Sequence, residues 1–135
     1  MQRAGSCTSP GIWSACAQVR VVVPPGRRYN VTVLSSFAAM SNSDGSVRYC
    51  PGIQGGGYEL SCMNPTVQNA EAEFMRLAAS YTESAATSGE ITVGPGTYFF
   101  STVLNSDVDL VVSYEWSVHT TLIVTDASAP GPPIG

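Results

Sequence analysis

The stretch Val21–Ser36, VVVPPGRRYNVTVLSS, returns as Ile91–Ser106, ITVGPGTYFFSTVLNS, with Val23/Val93, Pro25/Pro95, Gly26/Gly96, Thr32/Thr102, Val33/Val103, Leu34/Leu104 and Ser36/Ser106 in common. In each copy apolar residues alternate on both sides of a Pro-Gly step. Proline fixes φ near the value that opens a type II turn, and glycine accepts the positive φ that follows. Pro25-Gly26 and Pro95-Gly96 therefore predict tight turns, each joining two strands as a hairpin. Two such strand pairs, one in each half of the chain, would supply equivalent corners of a pseudo-symmetric core.

Working outward, the same period of two recurs. Val19, Val21 and Val23 share one face, as do Tyr29, Val31 and Val33, with Asn30 and Thr32 opposite. DVDLVVS alternates Val108, Leu110 and Val112, and SVHTTLIVT alternates Val118, Thr120, Leu122 and Val124. SNSDGS and GIQGGG carry turn composition between these runs. In NPTVQNAEAEFMRLAASY, Val67, Ala70, Phe74, Leu77 and Tyr81 recur at helical spacing, with Asn64 as N-cap and Pro65 as first helical residue. The same letters also alternate, so the segment is read as a short helix followed by a strand from about Phe74. Together these signals predict an all-β fold, an antiparallel two-sheet sandwich of jelly-roll or Ig-like type with extended terminal arms and one short helix. The domain boundaries follow as an N-terminal arm over residues 1–18, a sandwich over 19–128 and a Pro/Gly-rich C-terminal arm over 129–135.

Composition bounds the function. The 135 residues suit one domain, and only 12% are charged, about half the usual share. A net charge of -4 argues against a phosphate-tracking surface, so nucleic acid is not expected as a partner. All six basic residues are arginine, a coding bias of GC-rich genomes. No window approaches the roughly 20 apolar residues of a membrane span, so no membrane partner is expected, and the N-terminus carries no apolar run of a secretory signal, so if Met1 is the native start no leader directs the chain outward; a signal peptide removed ahead of it stays open.

The cysteines are even in number, Cys7, Cys16, Cys50 and Cys62, and lie in Ser/Gly/Pro-rich surroundings that favour disulfides. Of the three possible pairings, the local one closes two short loops, Cys7 with Cys16 and Cys50 with Cys62, and is the one expected. A zinc site is not, for want of a C-x-x-C or a nearby histidine.

Candidate chemistry is thin. A Ser/His/Asp triad would need His119, the one histidine, and no nucleophile elbow accompanies it. Glu71/Glu73 and Asp107/Asp109 stand at i and i+2, which shares a face on a strand, but no sugar-binding aromatic run adjoins either pair, and solvated edge charge explains them. Ser41–Gly45, SNSDG, lacks the spaced acids and final Glu of a calcium loop. No catalytic residue, cofactor or metal is predicted.

SGEITVGPGTYFFSTVLN resembles the strand pair of C1q and tumour-necrosis-factor-type jelly rolls, with Gly96, Tyr98, Phe100 and Ser101 at matching positions. It is also similar to the VPAGTY-type hairpins of accessory β-sandwich domains in bacteriophage heads and tails. The resemblance implies a sandwich that oligomerises, commonly as a trimer, and serves attachment or assembly. The function expected on that basis is a non-enzymatic virion structural protein, a capsid decoration or tail accessory protein whose partners are its own copies and other virion proteins. The alternative is an extracellular binding module for carbohydrate or protein.

Overall fold

Alternating sequence becomes alternating burial along nine strands: β1 (Ser14–Val23), β2 (Tyr29–Ser41), β3 (Gly45–Gly55), β4 (Tyr58–Cys62), β5 (Glu73–Leu77), β6 (Glu83–Val93), β7 (Gly96–Ser106), β8 (Leu110–Val112) and β9 (Val118–Asp126). They belong to a computed structural model that describes residues 7–63, 72–112 and 118–128. Sheet I runs β1-β7-β3, with β4 and β5 following one another along the far edge of β3. Sheet II runs β6-β2, with β8 and β9 following one another along the far edge of β2. The sheets stack face to face, β7 over β2, β3 over β6 and β1 over β9.

All the ladders are antiparallel, and three of them are nested: β1 pairs with β7, β2 with β6, and β3 with β5. Nesting means that one long two-stranded ribbon has been folded over on itself, and the β3–β7 ladder is the seam where it closes. That is the winding of a jelly roll; an Ig sandwich instead pairs its strands in the order ABED and CFG.

The repeated motif is therefore not a pair of hairpins. β1 and β2 lie in different sheets, and so do β6 and β7, so each Pro-Gly step is a corner at which one arm of the ribbon crosses the sandwich. The two corners face each other. Between Val23↔Gly96 and Tyr29↔Val93 the first arm advances six residues and the second three, so the first corner is the longer. The letters shared after each Pro-Gly step consequently slip out of structural register: Val33 pairs with Gly89, and its counterpart across the ribbon's symmetry is Phe100 rather than Val103. At the next corner the register is unbroken, six residues separating Ala39 from Gly45 on one arm and Leu77 from Glu83 on the other.

The two corners differ in conformation as well. Gly26 has φ +81° and the Arg27 N–H reaches the Pro24 carbonyl at 3.2 Å, the expected type II turn. Gly96 instead has φ +151°, an extended glycine geometry outside that turn type, because Pro95 and Gly96 lead straight into β7. A Cβ on Gly96 would lie 3.3 Å from the Tyr98 hydroxyl oxygen. Gly96→Val is expected to lower stability by about 1 to 3 kcal/mol through this strain, read as a fall in melting temperature. An unchanged melting temperature would show that the corner tolerates a side chain.

The first corner is also tied to the end of β9. Arg27 pairs with Asp126 at 3.0 Å, and the Asp126 carboxylate accepts the Ser128 N–H at 2.8 Å. Hydrogen bonds from Ser128, then Arg27, hold this carboxyl below its ordinary range. Its stabilising contribution is thus present above the ordinary carboxylate pKa and is lost as pH falls through the lowered one.

The core fills the space between sheets in two clusters. One, near the Pro-Gly corners, gathers Val23, Val31, Val33, Ile53, Met63, Val93, Tyr98 and Phe100; the other gathers Cys16, Phe37, Ala39, Val47, Leu77, Leu104, Leu110 and Val118. Between them the fully buried Thr102 donates to the His119 carbonyl at 2.9 Å and lies 2.8 Å from the Thr120 hydroxyl, a polar bridge from sheet I to sheet II. It is satisfied on both sides, so it fixes the stacking of β7 on β9 without an orphan polar group.

β3 explains three more residues. Pro51 has no N–H to give a ladder, and it sits at the joint where β3 changes partner from β5 to β4. Its carbonyl accepts the Met63 N–H at 2.9 Å. Beyond it, Gly56 and Gly57, both at positive φ, form the two-residue reversal of a true hairpin between β3 and β4.

The N-terminal arm assigned to residues 1–18 is shorter than expected, since β1 begins at Ser14. The helix read into NPTVQNAEAE covers residues 64–73, of which 64–71 lie outside the described residues, as does the C-terminal arm over 129–135. The strand expected from about Phe74 is present as β5.

Candidate functional site

Both disulfides form as the short loops suggested, Cys7–Cys16 with Cα atoms 5.6 Å apart and Cys50–Cys62 at 5.5 Å. Cys16 points between the sheets and is fully buried, whereas Cys50 lies on the outer face of sheet I, opposite Val103. Neither pair is available as a metal ligand set, and among the described residues no three His, Cys, Asp or Glu side chains converge to hold an ion. His119 is half-buried on β9, beside Ser36 of β2.

The carboxylate pairs come apart. Glu73 opens β5, while Glu71 lies outside the described residues. Asp107 and Asp109 are in the β7–β8 turn rather than on a strand, because β8 starts only at Leu110. Asp107 accepts the Ser46 N–H at 2.8 Å and the Ser46 hydroxyl at 3.1 Å, and Asp44 accepts the Ala79 N–H at 2.9 Å. These acids pin the loops at the end of the sandwich away from the Pro-Gly corners.

Between those loops opens a cleft of about 560 Å³, lined by Asp44, Ser46, Phe74, Arg76, Glu83 and Asp107 among others. Phe74 stands at its lip, 49% exposed, with the Arg48 guanidinium 5.6 Å and the Arg76 guanidinium 5.9 Å from its ring centre. The ladder makes this placement unavoidable. Arg48 is directly opposite Phe74, and Arg76 is two residues along on the same face.

A second surface lies on the other sheet. β6 is an eleven-residue strand whose only partner among the described residues is β2. It contains no proline, bulge or lysine, the devices that normally blunt an open edge. β1, the open edge of sheet I, is guarded by a bulge between Cys16 and Val19 with Ala17 at φ +52°. The outer face of sheet II beside β6 is nearly uncharged. Its rows run Thr92–Asn30–Thr125, Glu90–Thr32–Ile123, Ser88–Leu34–Thr121 and Ala86–Ser36–His119, and Glu90, the one carboxylate, accepts from Asn30 at 3.0 Å. Leu34 and Ile123 are 41% and 53% exposed there. The small side chains of Ser36, Ala86 and Ser88 leave a trough of about 430 Å³ across it.

Sequence reasoning missed both surfaces. Neither the helical spacing that includes Phe74 nor the strand expected from it says that the ring is exposed, and the edge status of β6 depends on pairings that no local pattern encodes. No family model, curated protein or solved structure matches the chain.

Proposed function

We infer that this chain is a non-catalytic building block of a repeated protein assembly, and that strand β6 with the adjoining outer face of sheet II is its lateral contact. The observation that carries this reading is the edge of β6: eleven residues that pair only with β2 among the described residues, next to a face that bears Leu34 and Ile123 and one carboxylate, Glu90. An open strand edge adds a further strand at little conformational cost, and a face with a single charge, already hydrogen-bonded to Asn30, can be covered while stranding few ions. The partner is a second copy of the chain, whose contact need not be the same surface; contacts between unlike surfaces build rings or tubes. The virion as the setting, in a capsid decoration or tail accessory role, rests on the resemblance of the Pro-Gly units to phage sandwich domains.

A pair of proline variants tests the edge. Neighbouring residues on a strand send their N–H groups to opposite sides, so of Thr87→Pro and Ser88→Pro one breaks the ladder to β2 and the other removes an outward donor. The outward variant should keep the wild-type circular dichroism spectrum and lose self-association by at least tenfold. If both folded variants associate like the parent, β6 is not the contact.

A further inference from the structure

We propose that the cleft at the lip of β5 binds an acidic saccharide, taking its carboxylate on the guanidiniums of Arg48 and Arg76 and its hydroxyls on the carboxylates that line the floor. Three observations support this. Both guanidiniums lie by the Phe74 ring, 5.6 and 5.9 Å from its centre, so one aromatic side chain gathers two cations at the lip of the cleft. Guanidinium forks are the donors that match a planar carboxylate.

Next, the arginines are not consumed by the acids beside them. Asp44 and Asp107 share the cleft with Arg76 but direct their oxygens to the Ala79 N–H and to Ser46, and the described residues place no carboxylate within ion-pair distance of either guanidinium. Finally, the cleft offers donors and acceptors together. Glu83, Asp44 and Asp107 would repel a phosphate group, with its greater charge, more than a carboxylate, yet a carboxylate oxygen can accept hydrogen bonds from hydroxyls. A polyhydroxylated ring carrying one carboxylate satisfies both halves, and about 560 Å³ lies within the range of small-ligand sites, roughly 300 to 1,000 Å³. The site is built on β3 and β5 of sheet I, touches β6 only at its first residue, Glu83, and does not rest on the assembly reading, which concerns the open edge of β6 and the outer face of sheet II.

The test is a titration of the intact protein, followed by calorimetry and amide NMR, with tetragalacturonate and 3′-sialyllactose as the two acidic probes. The methyl ester of tetragalacturonate and galactose 6-phosphate, a sugar whose only anionic group is a phosphate, serve as comparisons. At least one acidic probe should bind, shift amides of β3 and β5, and weaken tenfold or more in the Arg48→Gln/Arg76→Gln variant. Phe74→Leu, which keeps an apolar side chain but removes the ring that seats the guanidiniums, should weaken it as well. The ester should not bind. Silence from both acidic probes, binding that the substitutions leave unchanged, or equal binding of the phosphorylated sugar would each overturn the assignment, the last reducing the site to a general anion clamp.

Discussion

Reducing both disulfides is expected to unfold the domain or leave it at the margin of stability. The bridges close loops with sequence separations of 9 and 12 residues. On loop-closure entropy each contributes about 3 kcal/mol, so losing both removes about 6 kcal/mol from a fold whose total stability is about 5 to 15 kcal/mol. The two bridges act at different places. Cys7–Cys16 anchors the chain ahead of β1 into the core cluster around Phe37 and Leu104, and Cys50–Cys62 clamps β4 to β3 next to the joint at Pro51. Denaturant melts with and without a thiol reductant measure the sum, and the paired alanine variants at Cys7/Cys16 and Cys50/Cys62 measure the parts. A midpoint that reductant does not move, with four free thiols confirmed by alkylation, would show that the ribbon is held by packing alone.

Gly56→Val is expected to cost about 2 to 6 kcal/mol, the largest effect of any single change considered. Gly56 has φ +60°, where a β-branched residue is strained by about 1 to 3 kcal/mol, and a Cβ there would fall on the Tyr98 ring. Tyr98 cannot yield cheaply. Its ring is buried beside Phe100 and Tyr58, and its hydroxyl donates to the Gly94 carbonyl at 2.8 Å, with burial and then Tyr58 raising its pKa so that it stays a donor. Overpacking against it adds about 1 to 3 kcal/mol. Gly57→Val is the control. Gly57 also has positive φ, +96°, but open space beyond its Cβ, so it should cost only the backbone part. Equal losses in the two variants would mean that the glycine run serves the turn alone and not the Tyr98 contact.

These two expectations show where the fold was legible and where it was not. The strands around both Pro-Gly steps, the inward faces Val19/Val21/Val23 and Tyr29/Val31/Val33, and the local cysteine pairing all follow from short-range chemistry, and all are present. What failed was partnering. A Pro-Gly step between two alternating runs has the same local signature whether the runs pair with each other or cross to opposite sheets, and here they cross. β3 was hidden because Pro51, Gly52 and Cys50 interrupt its alternation, which becomes intelligible only once β4 and β5 are seen to divide its edge. The strand Glu83–Val93 was seen only at its Glu90–Val93 end, because Ser, Ala and Thr carry little contrast between its faces. Asp107 looked like one of a strand-borne pair and turned out to be the acceptor that holds Ser46, a loop contact over sixty residues of sequence. The cleft suffered the same way: Arg48 meets Phe74 and Arg76 only through the β3–β5 ladder.

The pseudo-symmetry of the ribbon bears on how the molecule presents itself. Among the described residues each sheet ends in an open strand at the crossing, β1 in sheet I and β6 in sheet II, and only the first carries a bulge. The cations divide likewise, with Arg20, Arg48 and Arg76 at outward register positions of sheet I and none among the outward rows of sheet II. One face is thereby suited to a charged ligand and the other to close contact.

The most direct test of the assembly reading is the solution mass of the intact, oxidised protein, measured by light scattering over a range of concentrations. The account predicts a species of several copies that dissociates on dilution and is lost in the proline variant whose N–H points outward from β6. A strictly monomeric protein at all concentrations, with the β6 amides exchanging at the rate of an open edge, would contradict it.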